Sequence, residues 1–184
     1  MSQFPVHTAA SAPEASKATL EATQKAYGFL PNLFGTMASS PALVEAYASL
    51  SKIFGSTSFS PTEQQIVLLA TSELNGCTYC MAAHSVVAKM AKVSDGVIEA
   101  LRANQPLADA KLEALRRLTV SVVESRGWPE EATLQAFYDA GYTPAQYLEV
   151  VLGVGLKTLS NYTNHIASTP LDPAFQPAAW TKAS

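Results

Sequence analysis

The sequence predicts an all-α domain, and three observations carry that prediction. Helix-start signals recur: Ser40 precedes Pro41 and Ser60 precedes Pro61, each an N-cap serine with proline at the first helical position. Glycines close the periodic segments at Gly28, Gly55, Gly127 and Gly141. Strand signals are weak. The best candidate, "VVLGVGL" at residues 150–156, has helical flanks and no hairpin partner.

Taken in order, residues 1–12 are Ala/Ser-rich and read as a flexible N-terminal arm, mobile or held by a partner, with His7 inert within it. Residues 13–169 read as one helical domain. "PEASKATLEATQKAYGF" is rich in helix formers and stops at Gly28, and "LPNLFGTMASS" is a short helix or turn. "SPALVEAYASLSKIFG" and "SPTEQQIVLLATSEL" follow, the second with Glu63 placed for a capping box. Its middle, Ile66 to Ala70, is apolar on every side, so this helix is buried. Asn75-Gly76 breaks it. "CTYCMAAHSVVAKMAK", "SDGVIEALRAN", "PLADAKLEALRRLTVSVVESRG", "PEEATLQAFYDAG" and a long last helix from Thr143 complete the domain. Residues 170–184 form a proline-rich extended tail with Phe175 and Trp180 as anchors, and it has little to pack on in a lone bundle.

At 184 residues the chain is one domain with room for a core. A net charge of −3 without a basic stripe argues against nucleic acid. No uncharged apolar run nears the roughly 18 residues that span a bilayer, so no membrane partner is expected. The N-terminus lacks the pattern of a secretory signal, and a cytoplasmic location is the expectation. Hydrophobic residues at 48% against 15% charged favour an extensive subunit interface, hence a homo-oligomer.

The chain has two cysteines, Cys77 and Cys80, and His84 follows the second by four residues. With Asn75 as N-cap, Cys77 falls in the first turn, near free N–H groups and the positive end of the dipole, which lowers a thiol pKa. At about 100° per residue the three side chains share a face within about 60°. His84 is i+4 from Cys80, so its imidazole can act as base, or as a cation hold a thiolate. That chemistry is thiol redox. Two rival readings stay open: a buried cysteine pair without function, and a zinc site of Cys77, Cys80 and His84 seeking a fourth ligand among Glu73, His7 and His165. Covalent haem is excluded because Met81, not histidine, follows Cys80. No cofactor is expected.

"ELNGCTYCMAAHS", with "YGFLPNLF", "SPALVEAY" and "NYTNHIASTPLD", resembles the alkylhydroperoxidase D/carboxymuconolactone decarboxylase family in its peroxidase-related branch, over roughly Tyr27 to Trp180. The resemblance implies packed helices, assembly into dimers, trimers or hexamers, a hydroperoxide substrate and a thiol or dithiol reductant protein. It implies that Cys80 attacks the peroxide and Cys77 resolves it to a disulfide, against the dipole argument that makes Cys77 the more acidic thiol. Two positions depart from the family pattern. Gln65 stands where the family has a relay glutamate, and Tyr79 where some active members have histidine. Glu63 lies about 200° from Gln65 on the helix and is a poor substitute. Glu73, eight residues on and about 80° around, is the better one, balanced against a plain helix-end carboxylate. The candidate site is thus Cys77, Cys80, His84, Glu73 and Gln65. The alternative is a non-catalytic or metal-binding oligomer of the same fold. Asn161 and His165 share a face of the last helix, where His165 reads first as structural. Tyr27, Phe29, Phe34, Tyr47 and Phe54 read as core or interface.

Overall fold

A computed structural model describes residues 4–182, and among these there is no strand. The helices are α1 (Glu14–Tyr27), α2 (Asn32–Met37), α3 (Pro41–Gly55), α4 (Pro61–Leu74), α5 (Thr78–Met90), α6 (Asp95–Arg102), α7 (Ala110–Glu124), α8 (Glu131–Asp139) and α9 (Pro144–Ala167). A short 3-10 helix, Pro173–Ala178, follows.

The starts are where local chemistry puts them. The Ser40 side chain accepts from Leu43 N–H, and Ser60 with Glu63 forms a complete capping box. Thr143 and Gln146 form a second box at the start of α9. α1 stops at Gly28, which takes φ 78°, a conformation that favours glycine. "VVLGVGL" lies wholly inside α9, whose helical flanks extend through it.

α4 is the central helix, packed against α5, α7 and α9. Ile66 to Ala70 are all buried, as its uniformly apolar middle predicts. α9 crosses α3 and α4 closely at Gly153. A Cβ there would sit 2.6 Å from Val67 Cγ1 and 2.7 Å from Phe54 Cε2. The small residue lets the backbone approach, and the next residue one turn along the same face, Lys157, is carried into the core.

One boundary differs from the sequence expectation. Asn75 ends α4 instead of opening α5, Gly76 turns the chain at φ 65°, and Cys77 itself is the N-cap of α5. The Cys77 N–H is taken by Ser72 O at 2.9 Å, which holds the two helices in a tight corner.

The terminal segments lie on the same bundle. His7 N–H donates to Gly35 O at 3.1 Å. The tail crosses α5 and α6: Phe175 is buried, Trp180 Nε1 donates to Arg102 O at 2.9 Å, and the Arg102 guanidinium donates to Ala178 O and Ala179 O. The tail therefore has a surface on its own chain, which composition alone does not reveal.

Candidate active site

The corner between α4 and α5 places both cysteines in the core, each 1% exposed. They approach to 3.4 Å and are free thiols. Asn164 of α9 reaches across and aims its Nδ2 at both sulfurs, 3.3 Å from Cys80 Sγ and 3.7 Å from Cys77 Sγ. Asn161, one turn earlier, fixes the corner from the same side, bonding Asn75 at 2.8 Å and reaching Ser72 Oγ at 3.5 Å.

The two thiols differ in their electrostatics. Burial opposes a thiolate at Cys80. The hydrogen bond from the Cys77 thiol, the charge of Lys157 and the Ser160 hydroxyl outweigh it and pull the Cys80 pKa well below that of an ordinary cysteine. Cys77 moves the other way, because donating to Cys80 requires its proton and burial penalises its charge. The dipole argument that favoured Cys77 is corrected on this point. Cys77 is the cap, Cys80 is the N3 residue inside the first turn, and the neighbouring charge outweighs the position in the turn.

His84 Nδ1 lies 3.1 Å from Gln65 Oε1. An amide oxygen only accepts, so Nδ1 carries the proton and Nε2 is left with its lone pair. Burial, then the charge of Lys157, depresses the His84 pKa well below its usual value. His84 is a neutral imidazole, and the cation beside Cys80 is Lys157 instead. Gln65 orients the ring and relays nothing.

Glu73 is not brought to His84. Its carboxylate is buried against the tail, 3.6 Å from Lys182 Nζ, which also donates to the carbonyls of Glu73 and Leu74. It pairs with the C-terminal tail, on a part of α4 that does not line the cavity. Glu63 is spent on its capping box and on the Tyr142 hydroxyl. Tyr79 is locked: its hydroxyl donates to Asp172 at 2.5 Å and accepts from Leu33 N–H at 3.3 Å. Burial and that carboxylate raise its pKa far above the ordinary range, so it stays neutral. His165 is exposed, beside Tyr162. Among the described residues, no group of three His, Cys, Asp or Glu side chains is placed to hold a metal ion.

Each thiol meets a different cleft. Cys80, His84, Gln65 and Lys157 line a cavity of about 180 Å³, walled by Phe34, Tyr47, Phe54, Tyr79 and Phe175. Cys77 lines a more polar cleft of about 350 Å³ with Asn164, His165 and Thr169. Of the aromatic residues first read as core or interface, Tyr27, Phe34, Tyr47 and Phe54 are thus also cavity wall.

Lys157 was absent from the sequence-derived candidates, as were Asn164 and Ser160. They share the buried face of α9 at spacings of three and four, with Val150 and Gly153. A lone lysine one turn after a glycine, inside an apolar run, was the available signal.

Comparison with known proteins bears on this geometry. Residues 41–115 match the model of the carboxymuconolactone decarboxylase family. No curated protein matches the chain in sequence. The fold is similar to an uncharacterized peroxidase-related protein from Ralstonia eutropha with an alkylhydroperoxidase AhpD core. The TM-score is 0.84 at 21% identity, covering 95% of this chain and 94% of that one. A peroxidase-related protein from Silicibacter gives a TM-score of 0.79 at 17% identity over 94% and 92% of the two chains. A debrominase gives 0.75 at 19% identity over 90% of each. At these identities the likeness is one of fold.

Proposed function

We propose that this chain, whose residues 41–115 match the carboxymuconolactone decarboxylase family model and whose fold is similar to that of an alkylhydroperoxidase AhpD core, is a thiol-dependent hydroperoxide reductase. The observation that carries the reading is the split between the thiols: a depressed Cys80 lining an aromatic-walled cavity, and a protonated Cys77 touching it. The Cys80 thiolate attacks the terminal peroxide oxygen. The O–O bond breaks, Cys80 becomes a sulfenic acid, and an alkoxide leaves. Cys77 then attacks the Cys80 sulfur; the S–S bond forms and the hydroxyl departs with the Cys77 proton as water. A dithiol reductant returns both thiols by exchange.

One equivalent of cumene hydroperoxide is expected to remove two hydrogens from the chain, with Cys77 and Cys80 joined in one peptide pair by mass spectrometry. Cys80→Ser abolishes peroxide consumption. Oxidation that yields only intermolecular disulfides sinks the reading.

A second reading has its own support in the aromatic walls and in the debrominase of similar fold. A thiolate can take bromine from an aryl bromide while the ring gains a proton. Cys77 then forms the disulfide, and bromide leaves with the remaining proton. Bromide release from a polybrominated pyrrole, without peroxide turnover, favours this reading over the first.

A further inference from the structure

Lys157 is fully buried, and among the described residues its Nζ has no nitrogen or oxygen partner. An ammonium left so in a protein core is strongly penalised unless a charge answers it. It lines the same cavity as Cys80, His84 and Gln65. The titratable groups that feel it are Cys77 at the N-cap of α5 and Cys80 and His84 within it, while Tyr47 on α3 faces the same sulfurs. None of the others can supply a proton at the right moment. His84 is neutral with its one N–H given to Gln65, Tyr47 is held protonated by burial, and the Cys77 proton is needed later for water.

We propose that Lys157 is the catalytic acid of the site, holding the Cys80 thiolate at rest and protonating the leaving alkoxide during peroxide cleavage. This rests on the reading given above. The proton count closes. The resting state is Cys77 thiol, Cys80 thiolate and Lys157 ammonium. Attack gives Cys80 sulfenic acid and alkoxide; the ammonium gives up one proton, leaving alcohol and a neutral amine. Disulfide formation releases water made from the Cys80 hydroxyl and the Cys77 proton. Reduction by two thiol equivalents regenerates Cys77 and Cys80 as thiols, and the Cys80 proton passes to the amine. The cycle needs no carboxylate, so Gln65 is sufficient where a relay glutamate is otherwise used.

The test uses Lys157→Met and Lys157→Gln in the full chain, with helical circular dichroism as the folding control. Two readouts are followed. The first is the pH dependence of Cys80 alkylation by iodoacetamide, which needs no peroxide. In both variants it shifts upward toward an ordinary thiol; an unchanged profile overturns the proposal. The second is the rate of Cys80 oxidation at a pH where the thiolate is complete in every variant. With cumene hydroperoxide, whose alkoxide needs a proton, the variants lose about 10²–10⁴-fold, the usual worth of general acid help. With a perbenzoic acid, whose carboxylate leaves without one, they lose less than about tenfold. Equal losses on both oxidants overturn the acid role. If the variants do not fold, the wild type decides: a weak dependence of rate on leaving-group pKa across hydroperoxides supports the acid, and a steep one refutes it. A wild type inert to every peroxide overturns the hydroperoxide reading and the acid role with it, while the alkylation profile still reports whether Lys157 holds the thiolate.

Discussion

Cys80 and Cys77 sit three positions apart and differ in chemistry because of what α9 brings to them. Asn164 touches both sulfurs and the charge of Lys157 reaches both, but the proton that Cys77 donates to Cys80 puts the anion at Cys80. His84 has a measurable signature. Its pKa is lowered in the fold, so its neutral form costs nothing above the unfolded value of 6.5. Below that pH the unfolded chain takes up a proton that the folded chain refuses, and stability falls until the folded pKa is reached. Urea unfolding between pH 7.5 and pH 5 (roughly the span on either side of an ordinary imidazole) is expected to show this loss, and His84→Gln to reduce it. Gln65→Glu places a carboxylate at 3.1 Å from Nδ1 and favours the imidazolium. The His84 ring protons, silent over that range in the wild type, are then expected to titrate by NMR. At this scale the cysteines, His84 and Gln65 were legible, because a motif and its i+4 partner are local. Lys157 and Asn164 were not, since their meaning depends on the docking of a helix about eighty residues away.

The helices themselves were legible for the same reason. Ser40, Ser60 and Thr143 are caps whose partners lie three residues away, and Gly28 closes α1 by its own backbone freedom. The corner at Asn75-Gly76-Cys77 was misread by two residues because its cap is set by Ser72 O, in the preceding helix, and not by a side chain of the motif. Glu73, left open between a relay and a plain helix-end carboxylate, resolves for a related reason: helical angles place it near Gln65, but the tail claims it through Lys182. The close approach at Gly153 gives the element-scale prediction. Gly153→Ala forces a methyl into Val67 and Phe54 and is expected to cost about 1–3 kcal/mol in denaturant unfolding. It also moves Lys157 away from Cys80, so alkylation of Cys80 at pH 7 slows. A variant with wild-type stability and reactivity would mean that α9 does not depend on this contact.

At the scale of the molecule, α9 carries an exposed apolar stripe. Leu148, Val151, Tyr162 and Ile166 are 68%, 47%, 55% and 70% exposed, and they fall within one face of the helix. The sequence pointed to an oligomer through the tail and the apolar composition. The tail is satisfied on its own chain, so the case for assembly rests on this stripe instead. Sedimentation at micromolar concentration is expected to give a mass above the 19.5 kDa of one chain, and Leu148→Glu with Ile166→Glu to return it to that value. A wild-type monomer contradicts the expectation. No helix among the described residues is long and apolar enough to cross a membrane.

The central claim is that Cys80, not Cys77, meets the oxidant. The measurement is mass spectrometry of Cys77→Ser and Cys80→Ser after brief exposure to one equivalent of cumene hydroperoxide with a sulfenic-acid trap. The account predicts a trapped adduct on Cys80 in Cys77→Ser and none on Cys77 in Cys80→Ser. An adduct on Cys77 formed as fast as that on Cys80, or on Cys77 alone, would contradict it.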